Sequence, residues 1–158
     1  MSILSETTTS KSLFTFTSEL KYLVDMIEFG ITPRYVFETM PYGQKSYIIP
    51  MKCFCDIPLS KAKMHMNWFG KYGLGINKNY LAKMGVTPVL YIHHRSRINL
   101  FKDFRKNNEI NKLVPVLKRY KGRDFRKNID GGIERKIRQF YEEREWRYIP
   151  KNCQIISV

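Results

Sequence analysis

No apolar run in this chain extends beyond a few residues, and the runs present change their spacing from one to the next. Some alternate, as a half-buried strand does; others recur at intervals of three and four, as a helix face does. The two kinds follow one another without the strict strand–helix–strand order of a doubly wound sheet. The pattern therefore predicts an α+β fold, with a mixed, mainly antiparallel sheet and flanking helices. A length of 158 residues suits one domain. Residues 13–158 are expected to form it, with the polar, Thr/Ser-rich residues 1–12 as a flexible N-terminus. Hydrophobic residues make up 43%, enough for a packed core and too many for a disordered chain. No stretch approaches the length of a membrane span. The opening M-S-I-L-S-E-T-T-T-S lacks the basic start and apolar stretch of a secretory signal, so a cytoplasmic protein is expected.

Leu13–Thr17 (L-F-T-F-T) is short, aromatic and β-favouring, and reads as a first strand. Ser18 then caps a helix through Phe29, with Leu20, Leu23, Val24 and Ile27 on one face and Gly30 as its stop. Thr32-Pro33-Arg34-Tyr35 restarts an extended segment, and Tyr42-Gly43 marks a turn. Tyr47–Phe54 reads as a central strand. Asp56 and Pro58 suit the start of a helix that runs to Phe69 and stops at Gly70. Tyr72–Ile76 is a Gly-rich strand, where the glycines let another group come close. A short helix over Asn77–Met84 ends at Gly85, and Pro88–His93 reads as a buried strand. From Arg95 to Tyr120 the pattern is helical and basic, divided at Pro115. Lys121–Gly132 reads as a polar connection, Ile133–Tyr141 as a short helix, and Glu145–Ile149 and Gln154–Val158 as closing strands.

Charge is the strongest compositional signal. Lys plus Arg total 28 and Asp plus Glu 14, a net of 28 − 14 = +14. Residues 91–158 carry 18 basic and 8 acidic side chains, so +10 of the excess lies there. The densest stretch includes Arg95, Arg97, Lys102, Arg105, Lys106, Lys118, Arg119, Lys121, Arg123, Arg126 and Lys127. A field of that sign favours an anionic partner, and these residues are the candidates for binding nucleic acid or another anion. A solvated Lys-rich helix face would give the same count, because charge alone carries no specificity.

Glu143-Arg144-Glu145-Trp146-Arg147 is the densest ionic cluster. Two carboxylates two apart on a strand share a face, and Arg144 and Arg147 can hold them ionised. Such a pair can act on a ribosyl or glycosyl centre, one carboxylate stabilising developing positive charge and the other orienting a hydroxyl. It can equally be a structural ion-pair cluster at a sheet edge. Metal binding is not expected: Cys53, Cys55, His65, His93 and His94 lack zinc-site spacing. Three cysteines are too few for a disulfide scaffold, and Cys53 and Cys55 are expected to stay reduced. Y-G-L-G-I matches neither a dinucleotide fingerprint nor a P-loop.

Taken in order, T-P-R-Y (Thr32–Tyr35), M-K-C-F-C-D-I-P-L-S (Met51–Ser60), K-Y-G-L-G-I (Lys71–Ile76), P-V-L-Y-I (Pro88–Ile92) and E-R-E-W-R-Y-I-P (Glu143–Pro150) resemble the AbiGi family of bacterial abortive-infection proteins. The resemblance runs from about Leu13 to Pro150. It implies antiviral defence, with this chain as an antitoxin or regulator whose partner is a toxin encoded in the same operon, or a nucleic acid, with no membrane involved. No cofactor follows from that reading. A more distant similarity links L-F-T-F-T and the helix after it to the opening of DarT-type ADP-ribosyltransferases. That resemblance implies an enzyme using NAD, with Thr15, Tyr72, and Glu143 or Glu145 as its catalytic positions. Thr15 stands where such enzymes have His, and a hydroxyl cannot reproduce the geometry of an imidazole.

Overall fold

A computed structural model describes residues 10–41, 45–97, 110–127 and 133–158; the side chains at 110, 111, 125–127, 133 and 134 lie outside that description. The Tyr42-Gly43 turn, Lys102, Arg105 and Lys106 fall outside the described residues. The fold is α+β, built on a seven-stranded antiparallel sheet.

β1 (Ser12–Thr17), α1 (Leu20–Glu28), β2 (Arg34–Thr39), β3 (Ser46–Cys55), α2 (Ala62–Phe69), β4 (Tyr72–Asn77) and α3 (Lys78–Lys83) follow in chain order. Then come β5 (Thr87–Pro88), β6 (Leu90–Ile92), a helical turn at Ile110–Leu113, β7 (Leu117–Arg119), β8 (Lys121–Lys127), β9 (Ile133–Gln139), β10 (Glu145–Tyr148) and β11 (Ile156–Ser157). The main path runs β4-β1-β3-β10-β5, and β2 and β11 also pair with β3. β3 is the spine because its ten residues are long enough to serve four neighbours.

β1 and β2 share one edge of β3 and leave a gap in it. β1 meets β3 only at Phe14↔Cys55, while β2 covers it from Arg34↔Met51 to Thr39↔Ser46. Among the described residues no strand pairs with Lys52, Cys53 or Phe54 on that edge; β10 occupies the other. At the two ends of β3, Lys45 O accepts from Met40 N–H on the β2 side, and Asp56 N–H donates to Arg144 O on the β10 side. Strand alternation from these bonds aims the backbone groups of Cys53 into the gap, opposite those of Phe16. The sheet parts there.

Both faces of the sheet are covered. Tyr47, Ile49 and Met51 pack on one face with Met40, Ile92, Val114 and Leu117; Leu13 and Phe54 pack on the other with Leu81 and Val86. Glycine is required where strands carry aromatic neighbours. A Cβ on Gly75 would stand 2.7 Å from the Phe14 ring, and one on Gly73 2.8 Å from Phe16. These glycines allow the two rings to lie stacked, with centroids 6.3 Å apart. No helix among the described residues is long and apolar enough to cross a membrane.

Several local expectations differ from the structure. Glu19, not Ser18, sits at the α1 N-cap, and the apolar stripe of α1 faces outward, with Ile27 65% exposed. Asp56 does not cap a helix. It accepts from Ser10 N–H and both its oxygens receive Lys78 Nζ at 2.8 Å, while the chain passes through a 3-10 turn (Leu59–Lys61) before α2 begins. Pro88–His93 is two short strands, because β5 pairs with β10 while β6 runs parallel to β7. Leu117–Arg119 is strand and not helix. Lys121–Gln139 holds a β8–β9 hairpin and not a loop plus helix. Its register sets Asp124 opposite Lys136, and Arg138 Nη1 donates to Asp124 at 2.9 Å; cross-strand charge pairs stabilise a sheet that has little apolar content.

Candidate functional site

The gap in the sheet opens into a cleft of about 800 Å³. β1 supplies Phe14, Thr15 and Phe16; β2 supplies Arg34, Val36 and Glu38; β3 supplies Met51 to Cys55. His65 and Phe69 of α2 close one side, and Lys118, Arg119, Phe140, Glu143 and Glu145 another. That is room for a drug- or nucleotide-sized molecule, with aromatic walls and a few polar groups.

Beneath it lies a buried ionic cluster. Glu145 opens β10 opposite Cys55, and Arg147 sits opposite Cys53, so the two share a sheet face. On β2, Arg34, Val36 and Glu38 point to that same face through their pairing with Met51, Ile49 and Tyr47. Arg147 is fully buried. Its Nε donates to Glu145 at 2.6 Å, its Nη1 donates to Pro115 O at 2.8 Å, and its Nη2 lies 3.0 Å from Glu38. Lys118 Nζ donates to Glu143 at 2.7 Å and also to Glu145. Arg138 stacks 3.6 Å over the Trp68 ring, and its Nη2 lies 2.7 Å from Glu143 without the angle of a hydrogen bond.

Glu143 is not on the strand. It ends a 3-10 turn (Phe140–Glu143), and Arg144 in a left-handed conformation, φ 46°, leads into β10. A turn, and not strand alternation, brings the two carboxylates onto Lys118. Burial pushes the Glu143 carboxyl up to about 7, and the neighbouring Glu145 charge adds to this against Lys118. Burial also opposes the charge of Glu145, but Lys118 and Arg147 outweigh it and hold that carboxyl well below the usual range. The two titrate as a pair, with the second proton leaving near neutrality.

Two cations at the other end of the cleft differ: Arg34 stands on the Glu145 face, and Lys52, between Met51 and Cys53, on the opposite one. Among the described residues neither Arg34 nor Lys52 has a carboxylate in ion-pair range. Arg34 lies over the Tyr22 ring at 4.8 Å, and Lys52 Nζ donates to the Met26 sulfur at 3.2 Å. Burial, and behind it the charge of Arg34, lower the Lys52 pKa. His65 is buried, and burial lowers its pKa, so it is neutral. With Nε2 donating to Glu143 O at 3.2 Å, Nδ1 is an acceptor with no partner among the described residues.

The sequence candidates separate clearly. Thr15, Glu143 and Glu145 line the cleft; Tyr72 does not. Tyr72 pairs with Thr17 on β4, two strands from β3. Thr15 is flanked by Phe14, whose side chain shares the Glu145 face through Cys55, so the Thr15 side chain points to the opposite face. Of the cationic candidates, Lys118 is occupied by the two glutamates, Arg119 and Arg123 line the cleft, and Arg95, Arg97 and Lys121 are exposed. Arg126 and Lys127 lie on β8 opposite Glu134 and Ile133. Sequence reasoning missed Arg34, Glu38, Lys52 and Arg138. The first two stand four apart in R-Y-V-F-E, a spacing that alternation could have flagged.

A family model described as "Putative abortive phage resistance protein AbiGi, antitoxin" matches residues 31–158, most of the chain. A protein of Lactococcus lactis subsp. cremoris named "Abortive phage resistance protein AbiGi" is 28% identical over 152 residues. That alignment covers 75% of this chain, which spans 61% of the relative's length. No solved structure matches.

Proposed function

The chain belongs to the AbiGi family of abortive phage resistance proteins, and from that premise we propose that it serves bacterial antiviral defence as an antitoxin that binds and does not catalyse. The observation that supports this is the division of charge in the cleft. Both candidate catalytic carboxylates are tied to Lys118, Arg138 and Arg147, while Arg34 and Lys52 have no acid partner. A site with occupied acids and unoccupied cations suits an anion. Aromatic walls and the volume favour a nucleotide-type anion over a simple one. The basic surface would serve the larger partner, a toxin from the same operon or a nucleic acid.

Calorimetric titration with ADP tests the cleft. Binding that weakens from 50 to 200 mM salt is expected, with Arg34→Ala and Lys52→Met each weakening it about tenfold. Absence of nucleotide binding, with no toxin co-purifying from cells that express the whole operon, would overturn the proposal.

One observation favours a second reading, an ADP-ribosyltransferase-like enzyme using NAD: Glu143 and Glu145 line the same cleft. Release of nicotinamide from NAD, lost in Glu145→Gln, would establish it over the binding role.

A further inference from the structure

A second surface lies outside the cleft. Tyr91 of β6, His93 and His94 just after it, Tyr120 between β7 and β8, and Tyr141 of the turn before β10 form one row of rings, and none of them lines the cleft. His93 and His94 have centroids 4.3 Å apart, and His93 meets Tyr120 at 5.5 Å. Tyr120 stacks on Tyr141 at 5.3 Å and 24°, and Tyr141 meets Tyr91 at 5.3 Å.

The row is built and not accidental. Tyr120 N–H donates to Ile92 O and Tyr141 N–H to Tyr120 O, which fixes the backbones side by side. Tyr91 OH accepts from Glu145 N–H at 2.8 Å and Tyr120 OH from Gln139 at 3.1 Å, which fixes two of the rings. His93 Nδ1 accepts from Arg95 N–H at 3.2 Å. Yet the row is not core: His93 and His94 are exposed and Tyr141 is 51% exposed. Cations border it. Arg95, Arg97 and Lys121 are exposed, and desolvation, His93 and then the charges of Arg95 and Lys121 lower the His94 pKa.

Oriented π faces flanked by positive charge match unpaired bases joined by phosphates. A duplex hides its base faces and would use only the cations. We propose that this row is a stacking platform for a single-stranded nucleic acid. The proposal rests on the reading of the chain as a binder of an anionic partner, and it assigns that partner a place away from the nucleotide cleft.

The test is fluorescence anisotropy with a labelled single-stranded oligonucleotide and its duplex, on the whole chain. Single strands are expected to bind more tightly than duplex. Tyr141→Ala should weaken the single strand on the order of tenfold, and Tyr141→Phe by less than about twofold. Lys121→Ala should lower the slope of log K against log salt by roughly 0.7. Lys52→Met, in the cleft, should leave oligonucleotide binding unchanged. Melting temperatures of both Tyr141 variants, at a side chain 51% exposed, control for folding. No binding of single strands, equal affinity for duplex, an unchanged affinity in Tyr141→Ala, or equal competition by polyglutamate would each overturn the platform. A chain that fails here but still binds ADP and its toxin leaves the antitoxin reading standing.

Discussion

Arg147 bears the buried Glu145 carboxylate, the half-buried Glu38 carboxylate and two backbone carbonyls at once, so its removal has a calculable consequence. Arg147→Met keeps much of the side-chain volume but deletes the charge beside Glu145 and Glu38 and the donor to Pro115 O and Leu117 O. Removing one partner of a buried pair costs about 3–5 kcal/mol, because the other charge stays buried without compensation. For a domain of this size that corresponds to a fall in melting temperature of about 6–20 °C. The loss should also depend on pH in a defined direction. Arg147 is one of two cations that hold the Glu145 carboxyl down. Without it, the folded-state pKa of Glu145 rises above its unfolded value, near 4.3. A group whose pKa moves that way favours the folded state below the unfolded pKa and loses that contribution as pH rises through the folded one. The deficit should therefore narrow by about 1–2 kcal/mol when urea melts are repeated at pH 5.5 instead of 7.5, since a tenfold change in proton affinity corresponds to about 1.4 kcal/mol. In a Glu145→Gln background the same substitution should cost much less, a coupling that a double-mutant cycle reads directly. A loss below about 1 kcal/mol, or a deficit independent of both pH and residue 145, would refute the view that this cluster is electrostatically closed.

Glu143 should contribute in the opposite sense to wild-type Glu145. Its folded pKa of about 7 exceeds the unfolded value, so stability should decline between pH 5 and 8, and Glu143→Gln should flatten that decline in pH-dependent urea melts. Gly75→Val should drive a side chain into the Phe14 ring, lower stability by about 1–3 kcal/mol in thermal denaturation and weaken ADP binding with it. Cys55, whose thiol burial pushes up to about 12, and Cys53, also raised by burial, should be labelled slowly by iodoacetamide at pH 8, as read by mass spectrometry of the folded chain. Rapid labelling of either would mean that the floor of the cleft opens to solvent.

The strands that carry the cleft were legible because they are short, β-favouring and punctuated. Leu13–Thr17, Tyr47–Phe54 and Glu145–Ile149 emerge as β1, β3 and β10 within a residue or two. Gly30, Gly70 and Gly85 mark the helix stops through positive φ angles of 85°, 118° and 90°. The β8–β9 hairpin was not legible. Ile133 and Ile137 stand four apart and imitate a helix face, while the pairing that makes the strand, with Lys121–Lys127, depends on a register that no local window contains. The stripe on α1 misled in another way: its periodicity is real, but that face meets no core. Of the E-x-E pair, both Glu143 and Glu145 lie in the buried ionic cluster. Their partners Lys118 and Arg138 come from two other segments, and nothing in the spacing announces them. Lys118 also shows why counting charge overstates a basic surface: it sits in the densest cationic stretch and is occupied by two glutamates.

The parted sheet and the closed cluster beneath it together define what kind of site this is. Phe16, Cys53, His65, Arg34 and Lys52 line the cleft, while the carboxylates face the cations of the buried cluster. The most direct test is to titrate the purified chain with NAD in a calorimeter and then analyse the contents of the cell. Saturable binding that weakens with salt, with NAD recovered intact, is expected of a binding site. Nicotinamide released by the wild-type chain and not by Glu145→Gln would contradict it and establish catalysis in its place.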